Sequence, residues 1–274
     1  MTIQQWLHEA AALLKSADIS SARLDAELIL AHTIRKTRTY LHAHPDDTLD
    51  LRHLEIADAR LDLRRDRTPL AYILGHKDFY GRRFKTSPAA LIPRPETEMF
   101  IELLHSLLPK NLPLIKEKRK LVDVGTGTGI IGITAKLEWP ELDVTLTDIS
   151  QQALNLAREN AQQLSAEVKL HRGDLLRGYG EAIDIIVSNP PYVDKTWDVS
   201  PETRTEPELA LYASRGGLSI IEQLLNQASE LLKPDGSLLL EADERQHSAI
   251  IQSAASHGLR HSESRGLILH FVKH

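Results

Sequence analysis

Val122-Asp123-Val124-Gly125-Thr126-Gly127-Thr128-Gly129 is the stretch of this 274-residue chain that decides its fold. Apolar residues from Leu121 lead into it, three glycines alternate with threonines through it, and Ile130, Ile131 and Ile133 follow. That order predicts a strand, a tight loop and a helix, with glycines that let the backbone pass close to a ligand. Outward from the loop, short apolar runs alternate with amphipathic stretches. Strands are expected at 121–124, 144–146, 183–187 and 237–240, and helices at about 130–138, 151–163, 217–232 and 245–256. Such alternation predicts an α/β domain whose parallel sheet carries helices on both faces. Two later runs, around Leu259 and from Leu267 to Val272, fit a terminal antiparallel edge.

The chain before this region reads differently. Its first 75 residues return apolar side chains at spacings of three and four. Thr2 with Gln5 forms a capping-box pattern ahead of Trp6, Ala10, Leu13 and Leu14. A second helix holds Asp25, Leu28 and Ile29; a third runs from Leu49 to Arg65 with Leu51, Leu54, Ala57 and Leu61 along one face; Thr68-Pro69 opens a short fourth. Phe79-Tyr80-Gly81-Arg82-Arg83-Phe84 has hairpin chemistry, aromatics flanking a glycine turn. The expected organisation is a helical domain at 1–75, a hairpin linker at 76–90 and an α/β domain at 91–274.

The glycine loop predicts a cofactor site. Asp148 ends the next strand nineteen residues past Gly129, where a carboxylate can accept the hydroxyl protons of an adenosine ribose. Gly127, Gly129 and Gly132 also satisfy the dinucleotide fingerprint, so the loop alone leaves two cofactors open. S-adenosylmethionine has no pyrophosphate and wants an acid near the strand end for its ammonium, a need Asp123 suits. Asp174 could accept from an adenine amino group while the Leu175 backbone faces the ring edge; a loop or helix cap is the plainer role for Asp174. The candidate cofactor residues are therefore Asp123, Gly125, Thr126, Gly127, Thr128, Gly129, Asp148, Asp174, Leu175 and Asn189.

Asn189 belongs to the most specific feature, Ser188-Asn189-Pro190-Pro191-Tyr192, directly after the apolar run 183–187. Two prolines at a strand's carboxyl end remove two donors and stiffen the turn, at the place where open α/β sheets bind ligands. A planar amide or amino nitrogen is a poor nucleophile because its lone pair is delocalised. An enzyme that methylates one must fix its geometry and polarise it, which acceptors on both N–H groups would do. The Asn189 side-chain oxygen and the Pro190 carbonyl are the candidate acceptors, Pro191 stiffens the corner, and the Tyr192 ring could pack on the substrate's flat face. The contribution would be alignment and electrostatics, with no strong base.

Composition narrows the setting. Hydrophobic residues at 42% and charged residues at 26% exclude a disordered or collagenous chain. The absence of cysteine excludes disulfides and thiolate metal sites and fits the cytoplasm. The first dozen residues lack a basic leader pattern and no run approaches a membrane span, so neither secretion nor a membrane is expected. A net charge of −5 argues against wrapping nucleic acid by bulk charge. Thirteen histidines include no paired helical spacing with nearby acids, so no metal is predicted. The 116–120 charge run reads as a solvated loop, and Arg64, Arg65, Arg67, Arg82, Arg83 and Lys85 as a solvated face or, alternatively, a basic surface for an acidic partner. Arg94, between two prolines, is a candidate substrate-channel contact or else pairs with Glu96 or Glu98.

Taken together, these residues resemble the bacterial release factor glutamine N5-methyltransferases (PrmC/HemK). The likeness runs through Pro69 to Gly75, Phe79-Tyr80-Gly81, Leu91 to Glu98, the glycine loop, Ser188 to Tyr192, and Glu206-Pro207 followed by Ala210-Leu211. Ile92 to Glu98 is the sharpest discriminator, since many methyltransferases share the Asn-Pro-Pro-Tyr corner and few carry this segment. The resemblance implies a seven-stranded, Rossmann-like class I methyltransferase domain with a small helical N-terminal domain that recognises the substrate. It also implies S-adenosylmethionine as cofactor, class 1 release factors as partners near the ribosome, and the glutamine of their Gly-Gly-Gln loop as methyl acceptor. Two departures stand out: Thr205 replaces a bulkier, often aromatic residue, and 241–246 reads Glu-Ala-Asp-Glu-Arg-Gln where the family opens Glu-Ile-Gly. Neither is expected to touch the amide clamp. The rival readings are methylation of adenine N6 or guanine N2 in nucleic acid, on which the same corner would work, and a non-catalytic adaptor of release factor or ribosome.

Overall fold

A computed structural model describes residues 1–109 and 118–274. The chain divides into two compact units, one of Met1–Gly75 with Val199–Thr205, the other of His76–Asp198 with Glu206–His274.

The first unit is helical: α1 (Ile3–Ser16), α2 (Ala22–Ile34), α3 (Arg38–Ala43), α4 (Leu51–Arg65) and α5 (Leu70–Leu74). The Thr2 hydroxyl accepts from the Gln5 amide while the Gln5 side chain accepts from the Thr2 amide, so the capping box satisfies two donors at the start of α1. Trp6, Leu7, Ala10 and Leu14 on α1 pack with Ala26, Ile29 and Leu30 on α2 and with Ala57 and Leu61 on α4. Two details differ from the periodicity reading. Asp50 caps α4, its side chain accepting from the His53 amide at 2.8 Å, which leaves Leu51 at the helix start and 73% exposed instead of on the core face. The short helix α3, capped by Thr37, was not predicted; one and a half turns are too few to display a period.

Buried charge knits this unit together. Glu27, nearly inaccessible, accepts from Arg23 at 2.8 Å and Arg38 at 2.7 Å. Buried Arg64 donates to Asp25 at 2.7 Å and to Glu202 at 3.1 Å, and Arg67 also reaches Glu202, which fastens the segment Val199–Thr205 to the helices. Removing Arg64 would leave the buried Asp25 carboxylate without this cation, a cost of about 3–5 kcal/mol. The remaining members of the proposed basic surface are occupied too: Arg65 pairs with Asp62, Arg82 with Glu138, Arg83 with Asp78 and Lys85 with Glu159. They are partners in ion pairs, not free cations awaiting an acidic surface.

In the second unit the hairpin β1 (His76–Phe79) and β2 (Arg82–Lys85) turns through Tyr80 and Gly81, both at positive φ, the twist-matched two-residue turn. Phe79 and Phe84 meet edge to face at 6.2 Å and are buried in the core. Each such burial is worth about 1.5–3 kcal/mol, so the hairpin is part of this unit's core in place of the expected linker. After α6 (Met99–Leu107) come β3 (Lys120–Val124), α7 (Ile130–Glu138), β4 (Asp143–Asp148), α8 (Gln151–Gln163), β5 (Lys169–Arg172), β6 (Ile183–Ser188), α9 (Glu208–Leu211), α10 (Ser219–Leu231), β7 (Leu232–Glu241), α11 (His247–Ser256), β8 (Leu259–Arg265) and β9 (Ile268–Lys273). Of the 116–120 charge run, 116 and 117 lie outside the described residues; Lys120 opens β3 and pairs with Glu181 at 2.8 Å.

The seven strands lie in the order β5-β4-β3-β6-β7-β9-β8, parallel except for β9, which is antiparallel to both neighbours, as the terminal edge was expected to be. Alternate residues serve opposite faces: Leu121 packs with α6 and α7, Val122 and Val124 with α10. Strand order reverses between β3 and β6, where Val124 sits opposite Ser188. That switch point opens a crevice at the strands' carboxyl ends, and both sequence motifs end there.

Candidate active site

A cavity of about 340 Å³ occupies the crevice. Gly125, Thr126, Gly127 and Thr128 line it, with Gly125 and Gly127 at positive φ; Gly129, also at positive φ and expected to meet the cofactor, does not line it, and a Cβ there would run into Ile133. Gly127 needs its left-handed φ of 55° because its amide turns to donate to the Asp148 carboxylate at 3.0 Å. Gly132 is required for a different reason: a Cβ there would run into the Leu146 side chain and come within 3.0 Å of the Asp123 Cβ, so the glycine lets α7 lie against β3 and β4.

Asp148 lines the cavity. One oxygen accepts from Gly127 and the other from Ser150 at 2.8 Å, the Ile149 amide adds a third backbone donor, and the carboxylate retains acceptor capacity. Burial holds its carboxyl above the usual carboxylate range, against the pull of those backbone N–H groups. Asp174 and Leu175 also line the cavity; Leu175 sits at φ 56°, its carbonyl held by the Thr147 hydroxyl at 3.0 Å. These placements bring together the residues expected to meet an adenosyl group.

Asp123 differs from its expected place. It is buried beneath the loop and does not line the cavity. Its Oδ2 accepts from the Thr126 hydroxyl at 2.6 Å and the Gly132 amide at 2.9 Å, so it shapes the loop from below. The other oxygen, Oδ1, is buried without a hydrogen-bond partner, and burial raises this carboxyl to about 6.

The Asn-Pro-Pro-Tyr corner presents Asn189 and Pro191 to the cavity, whereas Pro190 and Tyr192 do not line it. The Tyr192 hydroxyl donates to Glu241 at 3.2 Å and its ring packs with the α10 side of the core, so it braces the corner from behind, away from any substrate face. Burial, with the Glu241 charge beside it, drives its phenol far above the ordinary value. The Gln246 amide donates to the Tyr192 carbonyl at 2.9 Å and to the Gly216 carbonyl at 2.7 Å. The 241–246 segment therefore does touch the clamp, contrary to expectation. Thr205, the other departure, belongs to the helical unit and donates to the Glu202 carbonyl at 2.7 Å.

The opposite wall comes from Ala89 to Arg94, with Leu209, Ala210 and Tyr212. Arg94 lines the cavity and pairs with buried Glu206, not with Glu96 or Glu98; Glu206 also accepts from the Ile92 amide at 2.9 Å. Sequence reading quoted Glu206 without a role, because its partners stand more than a hundred residues away. Asn160 was missed altogether. Buried on α8, it accepts from the Lys85 amide at 2.7 Å and donates to the carbonyls of Lys85 and Thr128, tying hairpin to glycine loop. Among the described residues no cluster of three or more His, Asp or Glu could hold a metal ion.

The chain matches the PrmC N-terminal domain over residues 5–75 and the methyltransferase small domain over residues 99–205. It is 39% identical to the release factor glutamine methyltransferase of Koribacter versatilis, covering 88% of this chain and 86% of the relative. To those of Deinococcus radiodurans and Escherichia coli it is 38% and 34% identical, over 89% and 92% of this chain and 87% and 90% of theirs. Among solved structures, a methyltransferase from Pyrococcus furiosus superposes with a TM-score of 0.54 at 18% identity, covering 79% of this chain and 97% of that one. A 16S rRNA methyltransferase from T. thermophilus gives 0.55 at 15% identity, over 73% and 50%; these two show the fold.

Proposed function

The chain belongs to the release factor glutamine methyltransferase family, and from that premise we propose that it transfers the methyl group of S-adenosylmethionine to the side-chain amide nitrogen of the glutamine in the Gly-Gly-Gln loop of peptide-chain release factors. The observation that carries this reading is the juxtaposition, across Val124 and Ser188, of a crevice lined by the glycine loop, Asp148 and Asp174 with Asn189.

Bound S-adenosylmethionine supplies an activated methyl on a sulfonium. Asp148 would receive the ribose hydroxyls, with Gly125 and Gly127 giving the backbone clearance beside them. Asp174 and the Leu175 backbone take the adenine edge. Asn189 Oδ1 accepts one N–H of the substrate amide; the Pro190 carbonyl, the second acceptor expected from the sequence, does not line the cavity. With the amide plane fixed, the nitrogen lone pair would be aimed in line with the methyl; the N–C bond would form as the S–C bond breaks, S-adenosylhomocysteine would leave, and the amide would release one proton to solvent. Arg94, fixed by Glu206, shapes the entry, and the helical unit recognises the release factor. A cytoplasmic setting follows from the partner; no helix among the described residues is long and apolar enough to cross a membrane.

Mass spectrometry of purified release factor after incubation with the protein and S-adenosylmethionine tests the reading, with a Gln-to-Ala release factor as control. A single added methyl on that glutamine, absent from the control, is expected. No mass gain with cofactor binding confirmed would redirect the search to nucleic-acid amino groups.

A further inference from the structure

The carboxylate at the end of β7 has no part in the scheme above, yet it governs the group that does. Asn189 Nδ2 donates to the Thr97 hydroxyl at 3.3 Å, Thr97 donates to Glu241 Oε2 at 2.9 Å, and the Tyr192 hydroxyl donates to Glu241 Oε1 at 3.2 Å. Glu241 and Thr97 are each about 1% exposed, and their separation in sequence is 144 residues. We propose that Glu241 is a positioning residue for methyl transfer: as a carboxylate it dictates, through Thr97 and by its own attraction for the Asn189 NH2 group, which end of the Asn189 amide faces the cavity.

The argument is one of hydrogen-bond direction. A carboxylate can accept and cannot donate, so both hydroxyls must aim their single proton at it. Thr97 then has only lone pairs to offer Asn189, which must answer with Nδ2. Oδ1 is left as the end available to a substrate N–H. A neutral acid can donate, which frees Thr97 to turn its proton toward Asn189 and allows the amide to flip. A flipped Asn189 meets the substrate N–H with its own N–H, and the clamp loses its acceptor. The proposal rests on Asn189 being that acceptor.

The surroundings of Glu241 set where this matters. From the corner after β6 it faces Tyr192 and Asn189; from the turn Pro95–Glu98 it faces Thr97 and Glu96; on β9 its register neighbour is Ile268. Arg94 and Asp243 act on the Tyr192 hydroxyl beside it. Burial, reinforced by Glu96, raises the Glu241 carboxyl, while hydrogen bonds from Thr97, Tyr192 and Asn189 pull it back down. The neutral acid therefore appears at higher pH than for an ordinary carboxyl, and turnover is lost as pH falls through that point.

The full-length protein is assayed with purified release factor at saturating S-adenosylmethionine across pH, with cofactor affinity followed by calorimetry. Glu241→Gln imitates the neutral acid: kcat should fall roughly tenfold to a hundredfold at neutral pH, the acid limb of the kcat profile should flatten, and cofactor affinity should stay within about twofold. Wild-type kcat in the variant overturns the proposal, and so does a parallel loss of cofactor affinity, which would mark a merely structural role. Should Glu241→Gln fail to fold, Thr97→Val removes the relay in near-isosteric form and must reproduce the loss of kcat; an unchanged kcat there overturns it equally. A wild-type protein that binds cofactor but leaves the glutamine unmethylated overturns the functional reading itself, an outcome separable from an active wild type matched by its variants.

Discussion

Two loops share the crevice, one after β3 and one after β6, and they are held in place in opposite ways. The glycine loop is fastened from within the stretch β3 to α8 that contains it: Asp123 grips Thr126 and Gly132, Asp148 takes the Gly127 and Ser150 amides, and Asn160 donates to the Thr128 carbonyl. The Asn-Pro-Pro-Tyr corner is fastened by strangers, Thr97, Glu241 and Gln246, from 49 to 92 positions away. The cofactor half is thus a local motif that folds itself, and the substrate half a convergence that exists only once the sheet is assembled. A half built on backbone donors should tolerate side-chain change around it, whereas a half built on side chains should not.

The sharpest break is expected at the corner. Asn189→Ala removes an acceptor aimed at the reacting amide and should lower kcat by about 10²–10³-fold, the scale for loss of one preorganised electrostatic contact. Calorimetry should find cofactor affinity near wild type, since the ribose and adenine contacts are assigned to Asp148, Asp174 and Leu175, beyond β4 and β5. Unchanged turnover would remove Asn189 from the mechanism.

The same contrast explains what could be read in advance. Helices at 130–138 and 151–163 and the terminal antiparallel pair were legible because periodicity is a local signal. So was the glycine loop, whose spacing declares its chemistry. The direction of Asp123 was not: both a downward and an outward carboxylate satisfy the same sequence, and the choice is made by the Gly132 amide on the helix packed beneath. Tyr192 was given a substrate to stack on because Glu241, its partner, cannot be seen from a motif of five residues. Arg67 and Arg82 looked like parts of a surface because the acids that pair them, Glu202 and Glu138, are remote in sequence.

Asp123 supplies the next test, on the cofactor side and in stability. Its carboxyl is raised to about 6 in the fold from an ordinary 3.8, so the native state holds its proton where the unfolded chain has released it. Stability without cofactor should therefore decline as pH rises from about 4 to 6, by up to about 3 kcal/mol for this group. Asp123→Asn, which cannot ionise, should show a shallower decline across that window in chemical denaturation. Parallel curves would mean the buried oxygen finds a partner in solution.

Asp148→Ala comes next. It deletes the one carboxylate that both orders the loop and faces the cavity, and should weaken S-adenosylmethionine binding by about 1.5–3 kcal/mol, the range for hydrogen bonds to a charged group. With cofactor saturating, kcat should recover most of its wild-type value, the reverse of the pattern at Asn189. Equal affinity by calorimetry would show that the ribose lies elsewhere.

The smallest effect is the most discriminating for the contrast itself. Ser150 caps α8, its hydroxyl accepting from the Ala153 amide at 3.2 Å, while its own amide donates to Asp148. Ser150→Ala deletes the cap and keeps the amide. Stability should drop by about 1 kcal/mol, as for lost N-caps generally, and cofactor affinity should hold. Were affinity to fall along with stability, the loop would depend on the helix terminus as the corner depends on Glu241, and the division between a self-held cofactor half and an externally braced substrate half would have to be abandoned.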